Sequence, residues 1–122
     1  MKEIIITNNP LVKEELEKII KVEYYYTDYM EILKKVRDRI HKGHKLLTHP
    51  LSGSIKPNET PYKSIMISMD KDDLDTDSLI TIENSIHTAK KFIKDFKTPD
   101  WSEEILSDFQ TIDLTLIKNA IK

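Results

Sequence analysis

Cysteine is absent from the 122 residues, which removes disulfides, thiolate metal sites and thiol nucleophiles together. Any chemistry must run on His, Asp, Glu, Lys, Ser or Thr. Glycine is nearly as scarce, with two residues, Gly43 and Gly53, so the paired glycines of a P-loop and the Gly-x-Ser-x-Gly elbow of a hydrolase are both missing. No apolar run approaches the ~20 residues of a membrane span, and the opening MKEIIITNNP is too short in its apolar run for a signal peptide. A cytoplasmic protein without a membrane partner is expected. An excess of one charge is lacking as well: 19 basic against 21 acidic residues leave −2, which argues against a nucleic-acid binder. What remains is 39% hydrophobic, enough for one core, and the expectation is a single α/β domain over residues 1–122.

Ile4-Ile5-Ile6 is a β-branched run without polar alternation, the pattern of a strand covered on both faces. Asn9 is placed to cap a helix opened by Pro10 and carrying Leu11, Val12, Leu16, Ile19 and Ile20 on one face. Val22 to Thr27 reads as a second strand at an edge. Asp28 and Glu31 have capping-box spacing at the start of a helix that ends at Gly43. Leu46-Leu47-Thr48 reads as a short third strand and Ser64 to Met69 as a fourth, of undecided direction. After the acidic turn Asp70 to Asp77 comes an amphipathic helix from Leu79 to Phe96, broken by Pro99, and then two short helices, the second opened by Asp113. The βαβαβ beginning predicts a Rossmann-like, mostly parallel four-stranded sheet flanked by helices, with the first strand between the second and third.

In that arrangement ligands bind at the carboxyl edge, where strand order reverses. Asn8 and Asn9 leave the first strand there; Thr48 and His49 leave the third. The stretch Lys42 to Lys63 holds both glycines, three of the five prolines and a string of hydroxyl and amide groups. Lys42, Lys45, Lys56 and Lys63 against Glu59 give it +3, so with a total of −2 the remainder of the chain carries −5. That local excess points to a small phosphate- or carboxylate-bearing ligand, with solvated lysines as the plain alternative. The expected ligand-binding set is Asn8, Asn9, Thr48, His49, Ser52, Gly53, Ser54, Lys56, Asn58, Thr60, Tyr62 and Lys63. Pro57 and Pro61 would hold these groups in place, or would simply stiffen a structural loop. His49 reads as a proton carrier or neutral donor, or else as a structural histidine bonded to the backbone; His44, before a strand, reads as a surface residue. His41 and His44 straddle a helix end with no carboxylate to complete a shell, and Asp73-x-Asp75-x-Asp77 departs from an EF-hand at Ser78 and Asn84. No metal and no other cofactor is expected.

Ile-Thr-Asn-Asn-Pro at residues 6–10, the pattern HPL-x-GS-x-KPN-x-TPYKS within Gly43 to Ser64, and the helix start Asp77-Ser78-Leu79 through Ile82-Glu83-Asn84-Ser85 together resemble the GrdX family. These are small proteins encoded beside the glycine, sarcosine and betaine reductase genes of amino-acid-fermenting anaerobic bacteria. The resemblance implies a neighbourhood, that of a selenoprotein reductase producing acetyl phosphate, and carries no catalytic residues over. The expected function is thus an accessory or regulatory protein of that system, with reductase-complex proteins as partners and a small anionic ligand at the carboxyl edge. The alternative is a small enzyme of amino-acid or acyl-phosphate metabolism using His49 with Lys56 or Lys63.

Overall fold

The structure, a computed structural model, describes residues 2–51, 55–97 and 99–121. Its order is β1 (Glu3–Thr7), α1 (Pro10–Leu16), β2 (Lys21–Tyr24), α2 (Tyr29–His41), β3 (Ser64–Ser68), α3 (Thr76–Asp95) and α4 (Glu103–Lys118). The sheet runs β2-β1-β3, with β1 central as its unbroken apolar run requires. Side chains alternate across it with the strand period of two. Ile4, Ile6, Ile65 and Ile67 face α2 and α3, meeting Ile32, Val36, Ile82 and Ile86. Ile5 and Met66 face α1 and α4, meeting Val12, Leu16, Leu114 and Ile117. Three layers result, with helices on both faces of a small sheet.

The sheet is three-stranded and mixed, not four-stranded and mostly parallel. β2 pairs parallel to β1, with Ile4 opposite Lys21. The place beside β1 expected for Leu46-Leu47-Thr48 is taken instead by β3, antiparallel, with Glu3 opposite Ser68 and Thr7 opposite Ser64. Leu46 makes only a single antiparallel bridge to Ile67, on the outer side of β3. Strand length decides the competition: β3 offers five buried residues in register with all of β1, whereas the Leu46 segment has two apolar side chains. Direction follows from the connection. The chain arrives at the carboxyl edge after Thr48 and re-enters the sheet from that edge at Ser64, so it runs back down; a parallel strand would have to begin at the opposite edge.

Other boundaries move for local reasons. α1 stops at Leu16 and leaves Ile19 exposed. β2 ends at Tyr24, three residues before Thr27. The tail is one helix, not two, because Ser102 caps it, its Oγ accepting from the Ile105 amide at 3.3 Å, and Glu103 and Glu104 favour its first turn. Asp113 therefore sits in mid-helix, facing inward. His44 is buried, with Nδ1 2.7 Å from the Ser68 carbonyl, and is not a surface residue.

Gly43 ends α2 at φ +105. Its amide donates to the Ile40 carbonyl at 3.0 Å and the His44 amide to that of Arg39 at 3.2 Å, the paired bonds of a Schellman turn. A Cβ here would collide with the Asp72 carbonyl oxygen, which belongs to backbone and cannot swing away. Gly43→Ala is expected to cost at least about 2 kcal/mol in urea unfolding, through backbone strain and this clash.

Candidate functional site

β1 ends at Thr7, and Asn8 and Asn9 follow it, all three buried at the carboxyl edge. Asn8 ties this end to two loops: its Nδ2 donates to the carbonyls of Thr27 at 2.9 Å and Pro61 at 2.8 Å, and its Oδ1 accepts from the Lys63 amide at 2.8 Å. Asn9 caps α1, its Oδ1 accepting from the Leu11 amide at 3.0 Å. Its Nδ2 donates to the Gln110 carbonyl at 2.9 Å and to Asp113 Oδ2 at 3.0 Å. Both amide side chains are thus engaged within the protein, and they shape the edge.

Asp113, only 7% exposed, is the centre of this network. Its Oδ1 accepts from the Ser64 amide at 3.2 Å, and its Oδ2 from the Ser64 hydroxyl at 2.6 Å as well as from Asn9. A carboxylate can only accept, so the single hydroxyl hydrogen of Ser64 goes to Asp113. The Thr7 hydroxyl, 2.6 Å from Ser64 Oγ, must then donate to it, while accepting the Asn9 amide at 2.9 Å. Chemistry dictates the direction of every bond from Thr7 through Ser64 to Asp113.

Against this network lies a small cavity with about 20 Å³ of room, enough for one water-sized occupant. Lys63 lines it, 6% exposed, and no acceptor bonds its ammonium among the described residues. Burial pushes the Lys63 amine below the ordinary lysine range, with the Asp113 carboxylate opposing that fall. Tyr29, 5% exposed, lines the same cavity with its phenol unbonded among the described residues. Burial pushes that phenol up, and the Asp113 charge pushes it further. Thr60 and Tyr62 complete the polar wall. Gln110 Nε2 donates to the Tyr62 hydroxyl at 2.8 Å, and Trp101 Nε1 to the Glu59 carbonyl at 2.6 Å, so α4 and the turn before it clamp the loop that carries Lys63.

The expected cleft is thereby divided. Asn8, Asn9, Thr60, Tyr62 and Lys63 gather at the end of β1. Thr48 is engaged at the sheet, its Oγ1 accepting from the Met66 amide at 3.0 Å. His49 is exposed, accepts from the Leu51 amide at 3.0 Å, and lines a separate hollow of about 230 Å³ against Thr81, Asn84, Ser85 and Thr88 of α3. Lys56 lies with Nζ 5.8 Å from the centre of the Phe92 ring, also toward α3. Asn58 sits in the turn Pro57–Glu59 with its Oδ1 buried and unbonded among the described residues. Ser52, Gly53 and Ser54 lie outside the described residues. Among the described residues no cluster of three metal-ligating side chains occurs, and no helix is long and apolar enough to cross a membrane.

Sequence reading missed Asp113, Tyr29 and Gln110. A signal for Asp113 was present: it recurs four residues after Phe109 and four before Ile117, on the inward stripe of an uninterrupted helical period. Reading it as a cap hid that.

Two outcomes test the network. Asp113→Ala takes the acceptor from the Ser64 amide and hydroxyl and from one of the two Asn9 Nδ2 hydrogens, the other keeping the Gln110 carbonyl, and removes the charge facing Lys63; it is expected to cost about 3–5 kcal/mol in chemical denaturation. The Tyr29 phenol has its folded pKa raised above the ordinary value of 10.0. Above that pH the unfolded chain loses this proton while the folded one keeps it, so stability falls as pH rises past 10. Tyr29→Phe is expected to make that alkaline fall shallower while changing little at pH 7, as measured by urea midpoints across pH 7 to 11.

The GrdX-like protein family matches residues 4–122. No curated protein and no solved structure matches the chain. With the match spanning all but the first three residues, the chain belongs to the GrdX-like protein family.

Proposed function

We propose that the protein is a non-catalytic accessory or regulatory member of the glycine reductase system that binds a small oxyanion at the carboxyl edge of its sheet and acts on proteins of the reductase complex. One observation carries the ligand class: Lys63, 6% exposed as a residue, lines a cavity with Thr60, Tyr62 and Tyr29, and no acceptor bonds its ammonium among the described residues. An oxyanion would accept charge-assisted bonds from that ammonium. Family membership supports the reductase neighbourhood. A non-catalytic role is favoured because Asp113 has both oxygens occupied by donors and His49 lies in a different hollow, so no acid–base pair faces Lys63.

Removal of the ammonium supplies the test. Desolvation outweighs the Asp113 attraction in setting the direction of the Lys63 shift, so its charged form is a net burden on the folded state. Lys63→Met is therefore expected to be at least as stable as the wild type without ligand. The gap narrows as pH rises toward 10.5, where the wild-type amine sheds its proton more readily folded than unfolded. Acetate, phosphate or acetyl phosphate at about 100 times its dissociation constant is expected to stabilise the wild type by about 2.7 kcal/mol in thermal-shift assays. Lys63→Met is expected to show no shift. Equal shifts in both proteins, or none in the wild type, would end the oxyanion reading.

A further inference from the structure

We infer that the far end of α3 docks the acidic turn that precedes α3 in a second copy of this chain, with Leu74 entering an aromatic hollow ringed by lysines. The inward stripe of α3 builds the hollow. Ile82, Ile86 and Ala89 are buried, and the same helical period continues to Ile93 and the C-cap Phe96, yet these two are 37% and 54% exposed. The apolar stripe thus outruns the core. There Phe92 and Phe96 stack with ring centres 6.0 Å apart. With His87, Thr88, Lys91 and Asp95 they line a hollow of about 300 Å³, ample for a leucine side chain. The Lys63 cavity shares none of these residues.

Charge names the occupant. Lys90, Lys91, Lys94 and Lys97 against Asp95 give +3 over residues 90–97, and Lys56 adds a further charge with its Nζ 5.8 Å from the centre of the Phe92 ring. All five lysines are exposed, and none is ion-paired among the described residues. The complement is on the same chain. Asp70, Asp72, Asp73, Asp75 and Asp77 against Lys71 give −4 over residues 70–77, and in their midst Leu74 is 47% exposed. The helix dipole accounts for acids before α3 and bases at its end. It does not account for an exposed leucine among the acids, an exposed phenylalanine among the bases, or Lys56 joining those bases from another segment. An apolar knob with an acidic rim fits an apolar hollow with a basic one. Within one copy the two cannot meet, because α3, 20 residues long, holds them about 30 Å apart. A two-fold axis across the middle of α3 lays a second copy antiparallel, so each Leu74 meets the other copy's hollow and the pair closes.

Sedimentation equilibrium up to millimolar protein is expected to show a reversible dimer. Leu74→Ser is expected to weaken it at least about 100-fold, since burying a leucine is worth about tenfold or more in affinity and the two-fold axis counts it twice. Raising the ionic strength from about 0.01 to about 1 M shortens the screening length from about 30 to about 3 Å and is expected to weaken the dimer as well. The charge-reversed variants Asp72→Lys/Asp73→Lys and Lys91→Glu/Lys94→Glu change only exposed positions, so each is expected to remain folded by circular dichroism and to be monomeric. Mixed in equal amounts they are expected to dimerise, because both contacts are then complementary again. A wild type that stays monomeric, a dimer that Leu74→Ser leaves as tight, or charge-reversed variants that stay apart on mixing would overturn the pairing.

Discussion

The carboxylate of Asp113 holds four segments in one place. Through Asn9 it reaches the end of β1 and the cap of α1; through Ser64 it reaches the start of β3; and it does so from the middle of α4. Each partner is buried, so each bond is made where water cannot replace it. The antiparallel pairing of β1 and β3, the entry of α1 and the docking of α4 on the sheet are therefore mutually dependent at this edge. The apolar core beneath supplies the bulk of the stabilisation and is indifferent to such detail; the carboxylate selects among arrangements that would bury the same side chains.

The same charge creates the site. With both oxygens of Asp113 occupied by donors, its attraction for Lys63 acts across space and no bond joins them among the described residues. The Lys63 residue is 6% exposed, and no acceptor bonds its ammonium among the described residues. The loop bearing it has no freedom to swing out, since Asn8, Trp101 and Gln110 anchor it at Lys63, Glu59 and Tyr62. A side chain on an anchored loop of this kind loses little entropy on meeting a partner. The hollow at His49 belongs to a different face, against α3, so the histidine and the buried lysine serve separate surfaces.

Much of this was readable in the chain. The unbroken Ile4-Ile5-Ile6 run placed β1 at the centre, Asn9-Pro10 and Asp28 marked helix starts, Gly43 marked a helix end, and the concentration of polar residues from Asn8 and from Thr60 to Lys63 marked the edge where the network forms. Each of these signals is local, set by side-chain shape, φ preference or periodicity within a few residues. Misreadings arose where two readings of equal local merit competed. Leu46-Leu47-Thr48 and Ser64-Ile65-Met66-Ile67-Ser68 were both eligible to pair with β1, and only the longer register and the path of the intervening loop separated them. Asp113 served equally well on paper as a cap or as an inward residue.

The sequence by itself determined the layers, the central strand, the caps and the basic, proline-stiffened loop, because these follow from intrinsic preferences that need no distant partner. Only the tertiary structure decided that β3 runs antiparallel, that α4 is continuous through Asp113, and that Lys63, not His49 or Lys56, is the cation turned inward. Those outcomes depend on contacts between residues 49 to 104 positions apart, as in Asp113 with Ser64 and with Asn9. A buried acid finds its donors only once the packing of the whole domain has brought them within hydrogen-bonding distance.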